Sequence, residues 1–188
     1  MSALAELLFN VLEEFMLREF EEEETKFEVV GKGAQVPTLE GTMQLARGSE
    51  YTLPRWIAAG LAVAGHGKIR DDEESSTNIM KILYNEESTA AKLQLSKLRG
   101  YFFSRVRERR RVLESSLSQK IDYGLIEEVK RLDDAAKNLA RTRLRKVLSL
   151  LQLPEVPQEH YEKLSEEERL LLNVMKTFVD RWQKAMVG

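Results

Sequence analysis

The chain has 188 residues, 43% of them hydrophobic and 32% charged, which predicts a folded globular protein with a sizeable core. It contains no cysteine, which excludes disulfides, thiolate metal sites and thiol nucleophiles. The net charge is only −2, but acidic residues dominate positions 13–28 and arginines dominate positions 99–111, a separation typical of complementary surfaces in an assembly or of attraction to a polyanion.

No apolar run reaches the roughly 18–20 residues that a membrane-spanning helix needs. The N-terminus carries acidic residues rather than the basic segment of a signal peptide. We therefore expect no membrane contact and a cytoplasmic location.

An amphipathic helix is predicted over residues 2–20, because apolar side chains recur there at helical spacing. This apolar stripe consists of Leu4, Leu7, Leu8, Val11, Leu12, Phe15 and Met16. The carboxylates at 21–24 are badly placed at the negative end of a helix. Either the helix frays there, or a basic partner lies near.

Residues 26–70 predict a compact α+β module. Short strands separated by glycines are expected at residues 26–30, 35–39, 42–46 and 68–70. A helix should follow the third strand, with Thr52 as its cap and Pro54 in its first turn. The buried face of this helix is expected to consist of Trp56, Ile57, Leu61 and Ala64.

The remainder is predicted to be helical, with a polar linker at 71–77, a short helix near 78–84 and three long helices. Those long helices are expected at 88–118, 122–151 and 165–186, with Asp122 as one cap and Ser165 to Glu168 as a capping box. The fold class is therefore mainly α, with a small β-rich N-terminal module followed by an antiparallel helical bundle. The predicted division is an N-terminal helix plus small domain at 1–70, a linker and short helix at 71–87, and the bundle at 88–188.

The helical faces carry more apolar side chains than one neighbouring helix requires, which predicts an obligate oligomer. The apolar residues expected within the bundle or at its interfaces are Leu98, Phe102, Leu144, Leu148, Phe178 and Trp182.

The most distinctive charged feature is a run of arginines in the first long helix, formed by Arg105, Arg107, Arg109, Arg110 and Arg111. At about 100° per residue these side chains point in several directions. One interpretation is a partner-binding or nucleic-acid-binding patch, whose phosphate contacts would be salt-sensitive. The other, favoured by the net acidity of the chain, is ion pairing with carboxylates of the acidic first helix or of a partner chain.

No catalytic constellation is visible, and we expect a non-enzyme without cofactor or metal. Gly31-Lys-Gly33 lacks the spacing of a phosphate loop and predicts a strand turn. His66 and His160 have no companions at ligand spacing. A second basic group holds Arg141, Arg143, Arg145 and Lys146, of which Arg143 falls on an apolar line and is a candidate for an interface ion pair.

The segment EYTLPRWIA at 50–58, followed by Leu61, Gly65 and Lys68-Ile-Arg70, resembles the "(E/V)-x-L-P-x-W-L-A … L" signature of the small β-rich domain of GINS subunits. The match is to the class in which this domain precedes the helical domain. The segment 163–172 is similar to the "L-x-x-E-E" start of a late helix in the helical domain of that family. The acidic first helix and the arginine run have no counterpart in that pattern.

This resemblance implies a subunit of the archaeal GINS complex, a non-catalytic scaffold of DNA replication with no cofactor. It also implies a location associated with the nucleoid, or in the nucleus if the protein is eukaryotic. The implied partners are a sister subunit in a 2:2 heterotetramer, the MCM replicative helicase, a RecJ-like protein, primase and the replicative polymerase, with DNA contacted only indirectly or weakly. Carried over by position, the residues that would shape the small domain are Leu53, Pro54, Trp56, Ile57 and Ala58. A helical adaptor that binds nucleic acid through the arginine run is the alternative function.

Overall fold

The structure is a computed structural model that describes residues 3–38, 41–70, 74–89, 93–119 and 122–187. It is mainly helical, as predicted, with seven helices and five strands in these residues. The helices are α1 Ala3–Glu22, α2 Arg55–Val63, α3 Ser76–Ser88, α4 Phe102–Gln119, α5 Tyr123–Leu150, α6 Gln158–Tyr161 and α7 Glu166–Val187. The strands are β1 Glu24–Val29, β2 Ala34–Thr38, β3 Gly41–Leu45, β4 Glu50–Pro54 and β5 Gly67–Ile69.

The chain divides into two compact units. Unit 1 comprises Met1–Glu73 and Arg107–Ile126, and unit 2 comprises Glu74–Val106 and Glu127–Gly188. Each of the long helices α4 and α5 therefore contributes residues to both units. No described helix has the length and apolar character that crossing a bilayer would require.

Unit 1 contains a three-stranded antiparallel sheet in the order β4-β1-β5 and a separate antiparallel pair, β2 and β3. Alternate side chains of the central strand β1 point inward, as strand geometry requires, so that Thr25, Phe27 and Val29 are buried. Phe27 and Val29 join a core that also takes side chains from the other strands and from α2. The segment thus contains both strands and a helix, as predicted.

The residues predicted to start the helix are instead a strand, so the prediction of Thr52 as a cap and Pro54 in the first turn is wrong. β4 pairs with β1 through Lys26 and Thr52, and α2 begins only at Arg55. Pro54 ends the strand in the N-cap position, where no side chain caps the helix.

The predicted buried face of α2 is also wrong in part. Trp56 is 59% exposed, whereas Arg55, Ala58 and Ala62 are buried. Leu53 is buried as expected, and Ile57 packs half-buried against the same core. Ala64, predicted to be buried, is exposed. The burial of Arg55 determines which face of α2 points inward. The spacing of apolar residues in the sequence does not reveal a buried arginine.

Gly67 lies where β5 meets β1, and a Cβ atom there would stand 2.1 Å from the carbonyl oxygen of Glu28 and 2.6 Å from the ring of Phe27. We expect Gly67→Ala to lower the free energy of unfolding of unit 1 by about 3 kcal/mol, because the sheet must open to admit the methyl group. Urea denaturation measures this change. Gly60→Ala is the matched control: nothing lies within 4 Å of its Cβ position inside α2. That substitution should stabilise by about 0.5–1 kcal/mol. Equal changes in unfolding free energy for Gly67→Ala and Gly60→Ala would contradict the close approach of Gly67 to Glu28 and Phe27.

In unit 2 the predicted helix at 88–118 begins too early. Residues 93–100 have no helical structure, and α4 starts at Phe102 after Tyr101, whose φ is 51°. The reason is tertiary, because the carbonyl groups of Gln94 and Ser96 accept hydrogen bonds from buried cations of α5. A helix would use those carbonyl groups within itself.

The predicted capping residues at the starts of α5 and α7 are confirmed. Asp122 accepts from the N–H groups of Gly124 (2.8 Å) and Leu125 (3.4 Å) at the start of α5. Ser165 and Glu168 exchange hydrogen bonds of 3.0 and 3.4 Å at the start of α7, which is the predicted capping box.

The short helix predicted at 78–84 is the longer α3, capped by Ser75. Of the predicted linker, residues 71–73 lie outside the described residues.

Candidate interaction surfaces

The arginine run does not form one continuous surface. Arg105 is buried and donates from Nε to the carbonyl of Gly100 at 2.9 Å. Arg107 pairs with Glu13 of α1 at 3.0 Å, and Arg110 pairs with Glu114 one turn later at 2.8 Å. The remaining two arginines of the run form no ion pair with any described residue.

The acidic end of α1 does not fray within the helix, which continues to Glu22. Instead, the neighbouring Glu23 accepts from Nε of Arg55 at 3.1 Å. Arg55 is 1% exposed, contacts Glu108 through Nη1 at 2.5 Å, and lies over the ring of Phe20 at 4.7 Å. A buried basic residue flanked by two carboxylates therefore fixes this part of unit 1. The sequence pattern did not identify Arg55 as a functional residue. The only indication in the sequence was the acidic segment at 21–24, which requires a basic partner.

A second buried ionic cluster lies in unit 2 and consists of Glu86, Arg143, Lys146 and Glu168. Nη1 of Arg143 is 3.0 Å from Glu86, while its Nε and Nη2 form a fork on Glu168 at 2.8 and 2.6 Å. Nζ of Lys146 is 2.6 Å from Glu86. All four residues are buried, and their charges balance.

Backbone groups complete this cluster. Arg143 and Lys146 also donate to carbonyl groups of the segment 94–96, and the Ser96 N–H donates to Glu86 at 2.6 Å. The cluster thus joins α3, the segment 94–96, α5 and the start of α7. Arg143, predicted as a candidate for an interface ion pair, forms its ion pairs inside the chain.

The pKa of Glu86 reflects this environment. Burial by itself raises the pKa, but hydrogen bonds from Lys146 and the Ser96 N–H, with the charges of Arg143 and Lys146, outweigh burial and hold it below the ordinary value of 4.5. Burial by itself would lower the pKa of Arg143, because burial disfavours the charged guanidinium. The carboxylates of Glu168 and Glu86 outweigh this effect, so that the net shift of the Arg143 pKa is upward. Both shifts favour the charged forms.

This lowered pKa predicts a pH dependence of stability. Because the folded-state pKa of Glu86 lies below the unfolded value, its ionisation stabilises the fold above about pH 4.5, and this contribution is lost as pH falls through the folded pKa. The difference in unfolding free energy between wild type and Glu86→Gln should therefore narrow as the pH is lowered below 4.5. Urea denaturation at stepped pH measures it. If the difference in unfolding free energy between wild type and Glu86→Gln stayed constant with pH, the proposed contribution of Glu86 ionisation to stability would be refuted.

The six apolar residues predicted within the bundle or at its interfaces divide into two groups. Leu98 and Phe102 are buried within the chain, so they offer no surface to a partner. The other four are exposed: Leu144 and Leu148 on α5, and Phe178 (59%) and Trp182 (63%) on α7.

These exposed residues lie along a surface of unit 2. On α7, Leu171, Phe178 and Trp182 fall on one line at helical spacing, with Met186 one turn further, and every described residue from 181 to 187 is exposed. Leu144 and Leu171 line a shallow groove of about 250 Å³ between α5 and α7. We call this set the α5/α7 apolar surface; its members are Leu144, Leu148, Leu171, Phe178, Trp182 and Met186.

Glu167 also lines the groove, and its two carboxylate oxygens differ in their contacts. Oε1 of Glu167 accepts from the N–H and hydroxyl of Ser104 at 2.9 and 3.0 Å. Oε2 of the same carboxylate is buried and accepts no hydrogen bond from the described residues.

A further apolar face is exposed on α1. Its inward side buries Met16 and Phe20, whereas most of the predicted apolar stripe points to solvent. The exposed members are Leu7, Leu8, Val11 and Phe15. The structure does not describe the side chain of Leu4.

The remaining sequence candidates fall at scattered positions. Gly31 and Gly33 connect β1 to β2, and each approaches backbone so closely that a Cβ would lie 2.6 Å from a carbonyl oxygen. Nδ1 of His66 lies 3.2 Å from the Lys32 carbonyl, and His160 is on α6. Among the described residues, no three His, Asp or Glu side chains are grouped closely enough to hold a metal ion.

Comparison with known proteins leaves the family open. No family model matches the sequence, and no curated protein matches it significantly.

Proposed function

We propose that the chain is a non-catalytic scaffold subunit of a replication complex of the GINS type, acting in the cytoplasm. Its predicted partners are a sister subunit in a 2:2 heterotetramer, the MCM helicase, a RecJ-like protein, primase and the replicative polymerase. DNA would be contacted only indirectly or weakly.

The observation that carries the scaffold proposal is the α5/α7 apolar surface. Apolar patches of this kind, bordered by polar residues, mark sites of protein association. Its Phe178 and Trp182 are large aromatic residues of the kind on which binding energy concentrates in protein interfaces.

The GINS assignment itself depends on the signature at 50–58. The burial of Leu53 and the packing of Ile57 support the role that the signature gives them in shaping the small domain. Trp56 does not have this role, and its 59% exposure makes it available for contacts outside unit 1. The antiparallel bundle of that family remains the proposed arrangement for the helices of unit 2.

The alternative, a nucleic-acid adaptor using the arginine run as a unit, has less support. Arg105 is buried, and Arg107 and Arg110 already contact carboxylates.

The proposal is tested by affinity purification of the tagged chain from its native cells. Native mass spectrometry then measures the mass of the intact assembly. We expect a particle of two copies of this chain and two of a related subunit, with the replicative helicase retained at low salt. Recovery of the chain without a related subunit would overturn the GINS assignment. Recovery as a monomer would overturn the scaffold function as well.

A further inference from the structure

Arg109 of the arginine run lies in a pocket of unit 1 that the scaffold function does not use. The pocket has a volume of about 290 Å³ and is lined by Ala62 of α2, by Lys68 and Ile69 of β5, by the adjoining Arg70, and by Arg109 and Val112 of α4. Three cationic and three apolar side chains therefore line a single concavity.

Two carboxylates in the described part of the chain contact the cations of this pocket, and neither contacts Arg109. Oε2 of Glu28 lies 3.3 Å from Nζ of Lys68 and 3.1 Å from Nε of Arg70. Glu50 is more distant, at 3.9 Å from both Arg70 and Lys26. Among the described residues, the three cations that line the pocket are contacted by these two carboxylates only, and Arg109 forms no ion pair within the described ranges.

Two features make this arrangement suitable for a multiply charged oxyanion. Arginine presents a rigid fork of donors that matches the oxygens of phosphate, and lysine adds a point charge. The cations also come from two different elements, β5 with its adjoining residue and α4, so that their donors converge from two sides. We propose that this pocket binds a phosphate group, held by Lys68, Arg70 and Arg109.

The experiment is titration of the full chain at low ionic strength with two probes. Inorganic phosphate is followed by calorimetry, and a fluorescent single-stranded oligonucleotide is followed by anisotropy. We expect Arg109→Glu to weaken binding by about ten-fold or more, since a charged hydrogen bond is lost and a negative charge is added. Arg111→Glu is the matched control, because Arg111 is an exposed arginine of α4 that does not line the pocket.

A second variant should strengthen binding. Glu28→Gln removes the carboxylate nearest to Lys68 and Arg70 and frees both side chains for the anion, so affinity should rise several-fold. Circular dichroism of each variant verifies that the sheet is intact.

Binding of inorganic phosphate that depends on Arg109 would identify a free or terminal phosphate as the ligand. Binding of the oligonucleotide alone, with the same dependence, would identify a phosphodiester. Absence of binding by either probe, or equal losses in Arg109→Glu and Arg111→Glu, would overturn the proposal. None of these outcomes depends on assembly of the chain, so this site and the scaffold function are tested separately.

Discussion

Replacing Glu86 with alanine should lower the free energy of unfolding by about 3–5 kcal/mol, because the substitution leaves two buried cations with one carboxylate between them. Arg143 and Lys146 would keep their carbonyl contacts but lose the negative charge that balances them. With total stabilities of about 5–15 kcal/mol for proteins of this size, such a loss places unit 2 near the edge of folding. Denaturant unfolding followed by far-ultraviolet circular dichroism measures the change.

Glu87→Ala is the matched control for this experiment. Glu87 is the next residue of α3, it is exposed, and it forms no ion pair with a described residue. Its replacement should change stability by less than about 0.5 kcal/mol. If Glu86→Ala cost no more than this control, the ionic cluster would not be a structural element of unit 2.

Replacing Trp182 with glutamate should weaken association of the chain by about thirty-fold or more, because aromatic anchors at interface centres contribute about 2 kcal/mol or more each. The same change should scarcely alter the unfolding free energy of the isolated chain, because the indole is 63% exposed. Sedimentation velocity of wild type and variant over the same concentrations measures the first effect, and urea denaturation measures the second.

Gln183→Glu provides the control for the added charge, since Gln183 is the exposed neighbour of Trp182 on α7. Association should be nearly unchanged in this variant. A loss of several kcal/mol in folding stability for Trp182→Glu would show that the indole is part of the core of the chain. Unchanged association would remove Trp182 from the interface.

Features encoded by neighbouring residues were predictable from the sequence. Asp122 and the Ser165–Glu168 capping box act on N–H groups two or three residues away, so the local pattern contains all the participants. The alternation of β1 was visible for the same reason. The α7 apolar line was also visible, because spacing along one helix places Phe178 and Trp182 together.

Features that depend on distant partners were not predictable. Residues 94–96 leave the helical conformation because their backbone groups contact Glu86, Arg143 and Lys146 from two other helices. The phase of α2 is likewise fixed by Arg55, whose partners Glu23 and Glu108 lie 32 and 53 positions away. In both cases the decisive residues are buried ions, which an analysis of apolar periodicity assigns to the surface.

The candidate sites show the same division. The arginine run was visible as a feature of composition, but its five members have different surroundings, and Arg109 lines a basic pocket. The pocket also needs Lys68 and Arg70, about forty positions earlier in the sequence, and no spacing rule connects them.

The central claim is that the α5/α7 apolar surface is covered by another protein subunit when the chain functions. Sedimentation velocity of the purified chain alone, over a range of micromolar concentrations, tests this most directly. The account predicts that the wild-type chain self-associates or aggregates as concentration rises, and that Trp182→Glu shifts it toward monomer. A wild-type chain that sediments as a well-behaved monomer at every concentration would contradict the account.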